Sequence, residues 1–142
     1  MLRTLVAVLI VFSSSIALAD AEGEINYRKG VFKVVGGHMS AIGAMLRHGV
    51  YGDNLAYHAN GMKEISAIAP TVFPESSSDG KTAALPDIWE QPEAFKEAMD
   101  KFVSAANGMA AAVESGDPKQ IGGAVRTLGG SCKNCHDNFK AD

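Results

Sequence analysis

The sequence predicts an all-α domain, an antiparallel bundle of four helices. Three observations support this fold class. Apolar residues recur at steps of three and four in four separate segments, the spacing that places them on one face of a helix. Glycine or proline interrupts the pattern between segments, and no segment alternates apolar and polar residues as a half-buried strand would. Two of the three connections are short, which favours antiparallel neighbours.

Length and composition fit one globular domain. The chain has 142 residues, of which 46% are hydrophobic and 20% are charged. Its net charge of −3 leaves no basic excess for nucleic acid, and it contains no helix-turn-helix, RNA-recognition or zinc-finger pattern. We therefore expect no nucleic-acid partner. The two cysteines are too few to build a disulfide scaffold.

Residues 1–19 have the features of a secretory signal peptide. Arg3 precedes an unbroken apolar run over residues 5–12, and residues 17–19 form an A-x-A cleavage signal. The run is too short to span a membrane, although an uncleaved anchor is the alternative. Cleavage after Ala19 would leave residues 20–142 as the mature domain, exported to a bacterial periplasm and free of the membrane.

The first predicted helix covers residues 22–48, and glycines at 49 and 52 end it. Its inward face contains one polar residue, Arg28. The face consists of Ile25, Arg28, Phe32, Val35, Met39, Ile42 and Leu46. Further apolar residues lie off this face, at Val31, Val34, Ala41 and Met45. They could contact a second copy of the chain, or they could widen the intramolecular apolar face.

The second predicted helix begins at Asp53 or Asn54, either of which can cap it, and it ends at Pro70. Its inward face consists of Leu55, Ala59, Met62, Ile65 and Ala69. Residues 70–90 hold three prolines and a polar run at 75–80. This composition predicts a long surface connection rather than a linker between domains.

The third predicted helix starts near Pro92 and ends near Ser115. The fourth starts with Asp117 as its cap and Pro118 at the first helical position, and it continues to about Lys140. The inward faces are Phe95, Met99, Phe102, Ala106, Met109 and Val113 in the third helix, and Ile121, Val125, Leu128, Cys132, Cys135 and Phe139 in the fourth.

The segment Cys132-Lys133-Asn134-Cys135-His136 is C-x-x-C-H, the attachment motif of c-type haem. Two thiols one helical turn apart can both form thioethers with the haem vinyl groups, and the adjacent imidazole can reach the iron. Both cysteines lie on the inward face of the fourth helix, so we expect the haem to enter the bundle. The sequence thus predicts a four-helix bundle with one covalently bound haem c per chain.

Other uses of these residues are less consistent with the chain. A thioredoxin-like redox pair needs a βαβ context. A zinc site needs a fourth ligand, which His38, His48 and His58 do not supply at a suitable spacing. Two cysteines that only fill a helical core are unexpected as free thiols in an exported protein.

A C-terminal C-x-x-C-H motif in a four-helix chain resembles the class II c-type cytochromes, in particular the cytochrome c′ family. The match extends to YRK at 27–29, which resembles the family's first-helix signature, and to PDIW at 86–89, which is similar to its P-x-I-W segment. Residues 131–140 match its C-terminal pattern. The resemblance covers residues 22–142, and it implies a periplasmic haem c protein that commonly forms a homodimer through its first two helices.

The resemblance also implies roles for single residues. His136 would be the proximal axial ligand of the iron, Cys132 and Cys135 the thioether sites, and Arg28 the partner of a haem propionate. Because an unpaired buried guanidinium is costly, we expect an anionic partner for Arg28; the alternative is a side chain that extends into solvent. Lys140 matches a basic position of the proximal pocket. Many relatives carry arginine there, and a solvated lysine that favours the helix dipole accounts for it equally well.

The sixth coordination position depends on Phe32. In low-spin relatives a methionine four residues after the first-helix arginine ligates the iron, whereas Phe32 has no donor atom. The resemblance therefore implies that Phe32 forms the distal pocket of a five-coordinate, high-spin haem, and it can be a core residue as well. Met39 lies about 10 Å further along the helix and is expected to fill the core. We expect His38 and His58 at the surface or hydrogen-bonded, and not as ligands.

An open iron site behind an apolar wall discriminates among diatomic gases. We expect NO and, to a lesser degree, CO as ligands, and the resemblance suggests NO binding or scavenging, with electron transfer to a periplasmic redox partner as a further role. The alternative is a low-spin one-electron carrier between periplasmic redox partners. We do not expect an enzyme, because a peroxidase needs a distal acid–base group and Phe32 supplies none.

Overall fold

Four long helices make up most of the chain, as the apolar periodicity predicts. The computed structural model describes residues 13–50 and 52–141. The long helices are α1 (Ser13–Arg47), α2 (Asp53–Ile68), α4 (Pro92–Ser115) and α5 (Pro118–Phe139), and a short helix α3 covers Asp87–Glu90. Two 3-10 turns follow α2, at Ala69–Thr71 and Glu75–Ser77. Within the described residues there is no strand, only an isolated β-bridge between Ala84 and Lys140.

The first helix begins earlier than the sequence predicts, at Ser13 rather than at residue 22. Residues 16–21 favour helix and contain neither proline nor glycine, so nothing in the chain stops α1 there. Residues 1–12 of the predicted signal peptide lie outside the described residues. At its other end α1 stops where Gly49 adopts a φ of 68°, a left-handed conformation that ends helices.

The helix starts are correct for α4 and α5, but the predicted cap of α2 is wrong. Gly52 is the N-cap of α2, with extended backbone and no side-chain hydrogen bond. Asp53 lies inside the first turn instead, where its carboxylate favours the helix dipole. In α5 the predicted cap is confirmed, because the Asp117 carboxylate accepts a hydrogen bond of 2.8 Å from the Lys119 amide.

The predicted inward faces form the core. α1 packs on α2, α2 on α4, and α4 on α5. Among the largest side chains with almost no exposure are Ile42, Leu55, Met62, Met109 and Leu128. A smaller group of inward residues is only partly buried. Ile65 of α2 and Val113 of α4 belong to it, but most of the group lies on the two facing helices α1 and α5: Phe32, Met39, Leu46, Val125, Cys132 and Cys135. The core is therefore filled around α2 and α4 and incomplete between α1 and α5.

The connection between α2 and α4 lies largely at the surface, as its composition predicts, but a few of its residues also enter the core. Val72 and Ser77 are almost fully buried, with exposed fractions of 1% and 0%. The Trp89 indole donates a hydrogen bond of 3.2 Å to the Phe73 carbonyl, which ties α3 to the chain after α2. This segment covers one edge of the space between α1 and α5.

The apolar residues considered for contact with a second copy divide into two kinds. Val31 is buried within its own chain at 5% exposure, and Met45 is partly buried against the core. Val34 is 46% exposed. The intramolecular alternative is therefore correct for Val31, while Val34 is free for an intermolecular contact. None of the helices in the described part has the length and apolar character needed to cross a membrane.

Candidate haem-binding site

A cavity of about 700 Å³ lies between α1 and α5. α3, α4 and the connection between α2 and α3 contribute its remaining walls. All the residues predicted for the site line it: Arg28, Phe32, Cys132, Cys135, His136 and Lys140. Residues more than 90 positions apart in the sequence thus meet around one space.

The α5 wall of the cavity carries the reactive groups. Cys132 and Cys135 lie one helical turn apart as free, half-buried thiols, and His136 follows directly. Burial raises the pKa of the Cys135 thiol to about 11, with a smaller contribution from Cys132, and burial also raises the pKa of Cys132. Both cysteines are therefore thiols and not thiolates at neutral pH.

The imidazole of His136 is neutral at neutral pH, which is the state that ligates a metal. Burial lowers the pKa of His136, and the positive charge of Lys140 lowers it further. Within the described residues no three histidine, cysteine or carboxylate side chains are grouped so as to hold a metal ion. The zinc alternative therefore lacks its ligand set in this part of the chain.

Arg28 occupies one end of the cavity and is 4% exposed, so the alternative that its side chain extends into solvent is wrong. Its Nη1 donates hydrogen bonds to Ser77 Oγ at 2.5 Å and to the Val72 carbonyl at 3.4 Å. Its Nη2 donates to the Ser77 carbonyl at 3.1 Å and to Thr82 Oγ1 at 3.0 Å. These acceptors are neutral. The anionic partner that we expect for the guanidinium is a haem propionate, and this pairing stays a prediction. Burial lowers the pKa of Arg28, partly offset by Glu24.

The α1 wall is mainly apolar between its charged ends, although Ser40 also lines the cavity there. Phe32 lies on this wall and packs edge-to-face against Phe73, with ring centroids 5.7 Å apart. Phe73 in turn packs against Phe95 at 4.8 Å, and the Arg28 guanidinium lies 4.9 Å from the centre of the Phe73 ring. The side chain of Phe32 is thus supported from behind by a ring that is itself held in place.

The cavity suits a large, mostly apolar ring with acidic substituents. Its walls are built mainly from aliphatic and aromatic side chains, and cationic groups stand at its rim at Arg28, Lys29, Arg47 and Lys140. Two thiols and one imidazole face it from α5. A porphyrin with two vinyl groups, an iron centre and propionates matches each of these features.

Comparison with known proteins agrees with this geometry. The family model of cytochrome c′ matches residues 23–140. The chain belongs to the cytochrome c′ family. Its cofactor is haem c. A cytochrome c′ from Rhodospirillum rubrum is 40% identical over 126 residues, which cover 87% of this chain and 86% of that protein.

Solved cytochrome c′ structures share the fold. The crystal structure from Rubrivivax gelatinosus has a TM-score of 0.76 and 34% identity, and covers 82% of this chain and 94% of that one. A ferrous variant of the Alcaligenes xylosoxidans protein with bound NO has a TM-score of 0.80 at 24% identity, and covers 86% of this chain and 97% of that one. The second similarity concerns the fold alone.

Lys140 differs from the other site residues of this cytochrome c′ because its side chain makes a single hydrogen bond. Its side chain is exposed, and its Nζ donates a hydrogen bond of 2.9 Å to the Ala141 carbonyl. Its effect on the site is electrostatic, through His136. The sequence offers two roles for Lys140, a basic residue of the proximal pocket and a solvated lysine at the helix end. This position fits both.

Phe73 and Met39 are the cavity residues whose roles sequence reasoning missed or understated. Phe73 lies in an irregular segment, where no periodicity identifies inward side chains. Met39 was expected to fill the core; it lines the cavity, and its Cε would lie 3.6 Å from a β-carbon at Gly129. The only sequence feature that could have indicated an inward Phe73 is its pairing with Trp89, a second aromatic residue near the other end of the connection.

His38 and His58 lie away from the cavity, as expected. They hydrogen-bond to each other, with their Nδ1 atoms 3.1 Å apart, and both are half-buried between α1 and α2. The expectation that they are satisfied histidines and not residues of the haem site is confirmed by this contact.

Proposed function

We propose that this cytochrome c′ is a periplasmic haem protein whose five-coordinate, high-spin iron binds diatomic gases, NO first and CO more weakly. The observation that carries the proposal is the position of Phe32. It stands on the cavity wall opposite the C-x-x-C-H motif, it has no donor atom, and Phe73 supports its ring. An apolar wall at this point leaves the sixth coordination position to an external ligand.

In this proposal the α5 wall holds the cofactor. Cys132 and Cys135 would hold the ring in the cavity through two thioethers, and His136 would ligate the iron. When bound, haem supplies an iron that accepts a small ligand and changes between Fe(III) and Fe(II). The lowered pKa of His136 keeps its imidazole neutral and ready to ligate before the cofactor arrives.

Arg28 and Lys140 have unequal roles in the proposal. Arg28 is a fixed positive charge at the cavity end where a propionate carboxylate would lie, and its hydrogen bonds to Ser77 and Thr82 hold it there. Lys140 is an exposed charge beside His136, and its Nζ donates a single hydrogen bond, to the Ala141 carbonyl. We propose Arg28 as the propionate partner and Lys140 as a weak modulator of the proximal pocket.

In this proposal the α1 wall discriminates among gases because Phe32 and Val35 offer no hydrogen-bond donor. Bound O₂ would gain stability from such a donor. The Nη1 and Nη2 groups of Arg28, which borders this wall, already donate to Val72, Ser77 and Thr82. NO and CO need no such donor. The NO-bound structure of the Alcaligenes xylosoxidans relative gives a precedent for NO in this fold.

The test is the absorption spectrum of the purified holoprotein, ferric and dithionite-reduced, before and after addition of NO and CO. We expect a high-spin spectrum that both gases shift. A low-spin spectrum with sharp α and β bands, unmoved by CO, would contradict the proposal and favour a one-electron carrier. The internal ligand would then be Met39, a thioether on the α1 wall, or a histidine. Conversion of the spectrum to high-spin in Met39→Leu would identify Met39.

We propose export from the signal-peptide pattern of residues 1–19, which would leave α1 to begin at residue 20. The measurement is the N-terminal sequence of protein isolated from the periplasmic fraction. We expect a mature chain that starts at Asp20. A chain that starts at Met1 and sediments with membranes would favour the uncleaved anchor instead.

We propose a homodimer through an exposed apolar face of α1 and α2. This face carries Tyr27 and Val34 on α1, seven residues apart, and Tyr57 and Ile68 on α2, eleven residues apart, with exposed fractions between 39% and 71%. Both spacings keep residues on one side of a helix. Sedimentation should give twice the monomer mass for the native protein and the monomer mass for Val34→Glu. An equal mass for both would place the contact elsewhere.

A further inference from the structure

His38 and His58 form a cluster that the haem site does not use. His38 belongs to α1 and His58 to α2, 20 residues later, and neither lines the haem cavity. Their Nδ1 atoms are 3.1 Å apart, and both rings are half-buried, so their edges remain open to solvent. The exposed Tyr57 ring stands beside both of them, 5.5 Å from the centre of the His58 ring and 6.4 Å from that of His38.

The position of the His38 ring depends on a glycine. A β-carbon at Gly61 would lie 2.6 Å from His38 Nε2 and would also collide with Cε1 of the same ring. The imidazole therefore occupies the space that any other residue at position 61 would fill with its own side chain. The two histidines are thus brought together by the packing of α1 on α2, and Gly61 makes room for the arrangement.

We propose that His38 and His58 form a second metal site, a bidentate ligand pair for one divalent late transition-metal ion such as Zn²⁺ or Cu²⁺. Zinc–imidazole bonds are about 2.0–2.1 Å long. Two nitrogens 3.1 Å apart, each at that distance from one ion, subtend an angle of about 100° at the metal. This value lies between the angles of octahedral and tetrahedral coordination. For a linear hydrogen bond between the two nitrogens, each ring must turn by about 40° before both lone pairs point at one ion.

The ligand type and the setting define the class of ion. Imidazole nitrogen suits zinc, copper and nickel, and Cu²⁺ binds most tightly among the divalent ions of the first row. Water would complete the coordination shell on the open side of the rings. The ion would replace the hydrogen bond between the two imidazoles and would join α1 to α2. This site is separate from the haem iron and does not depend on the proposed gas binding.

The test is calorimetric titration of the ferric holoprotein with Zn²⁺. We expect one ion per chain, and His38→Gln and His58→Gln should each weaken the affinity at least about tenfold, because even an outer-shell partner contributes that much. His48→Gln is the matched control. His48 is an exposed histidine at the end of α1 and should leave the affinity unchanged.

Gly61→Ala tests the geometry while both ligands remain. The added methyl group should displace the His38 ring and weaken Zn²⁺ binding, with the haem spectrum and helix content unchanged. In parallel, the electron spin resonance of bound Cu²⁺ should report two nitrogen ligands in the native protein and one in His58→Gln.

Several results would overturn the site. One is an equal Zn²⁺ affinity for the native protein and both single variants, and another is an equal loss of affinity in His48→Gln. A stoichiometry of half an ion per chain, with a sedimenting species held together by Zn²⁺, would assign the ion to a contact between two copies. In each case the histidine pair would be only a hydrogen bond between helices.

Discussion

The two walls of the haem cavity are built in opposite ways. The α5 wall presents thiols and an imidazole from five consecutive residues, and they are half-buried or exposed. The α1 wall presents Arg28 and Phe32. Both side chains are held in position by contacts with the connection after α2. The proposed attachment residues thus lie within about one helical turn, whereas the wall proposed to select an external ligand depends on contacts across the fold.

This contrast predicts different consequences of mutation. A change in the thiols or the imidazole of the α5 wall should abolish haem binding and leave the fold intact, because these side chains contribute little to packing. A change on the α1 wall should affect both the cavity and the stability of the bundle. The following predictions compare the two walls, from the largest expected effect to the smallest.

The double variant Cys132→Ala, Cys135→Ala should lose all covalent haem, since both thioether sites are gone. Helix content by circular dichroism should stay near that of the native apoprotein, because both thiols are only partly buried. The measurement is haem staining after denaturing electrophoresis. Ser131→Ala is the control: it removes a hydroxyl that donates to the Leu128 carbonyl, and it should retain the haem. Covalent haem in the double variant would refute the attachment sites.

Arg28→Leu should lower the free energy of unfolding by about 3 kcal/mol, because it leaves the buried oxygens of Ser77 and Val72 without their donor. The measurement is urea unfolding of the apoprotein, which separates this effect from any contact with the cofactor. Lys29→Met is the matched control. Its exposed ammonium donates only to the Lys81 carbonyl, and its loss should change stability by less than about 0.5 kcal/mol. Equal effects of the two substitutions would show that the hydrogen bonds of Arg28 add nothing to the free energy of unfolding.

Phe32→Ala should increase the association rate of CO with the reduced holoprotein at least about tenfold, equivalent to about 1.4 kcal/mol of barrier. The aromatic ring stands on the α1 wall, and its removal opens the path to the iron. The measurement is stopped-flow or flash-photolysis kinetics. Val34→Ala, an exposed residue of the same helix, should bind CO at the native rate. An unchanged rate in Phe32→Ala would mean that another residue limits entry.

Lys140→Gln should have the smallest effect, a change in the free energy of unfolding of less than about 0.5 kcal/mol. Its side chain is exposed and its Nζ contacts only the neighbouring Ala141 carbonyl. Urea unfolding under the conditions used for Arg28→Leu gives the direct comparison. A loss similar to that of Arg28→Leu would mean that the proximal side depends on tertiary contacts as much as the distal side does.

Most of the fold could be predicted from the sequence, and the errors have physical causes. The inward faces follow from periodicity, and the start of α5 from Asp117 and Pro118. The cap of α2 was assigned to side chains that favour capping, but the bend at Gly52 places Asp53 within the first turn. The connection after α2 was expected at the surface because it is polar. Ser77 is buried there because it is a hydrogen-bond partner of Arg28, which no local pattern reveals.

By itself, the sequence determined the four amphipathic helices and the C-x-x-C-H motif, because both are local patterns in which every partner lies within a few residues. Tertiary structure alone decided what surrounds the motif. Arg28 finds its acceptors 44 to 54 residues away, Phe73 reaches Phe32 from an irregular segment, and His38 meets His58 in a space that Gly61 leaves open. Such contacts depend on how helices pack, and packing depends on the shapes of side chains that are distant in sequence.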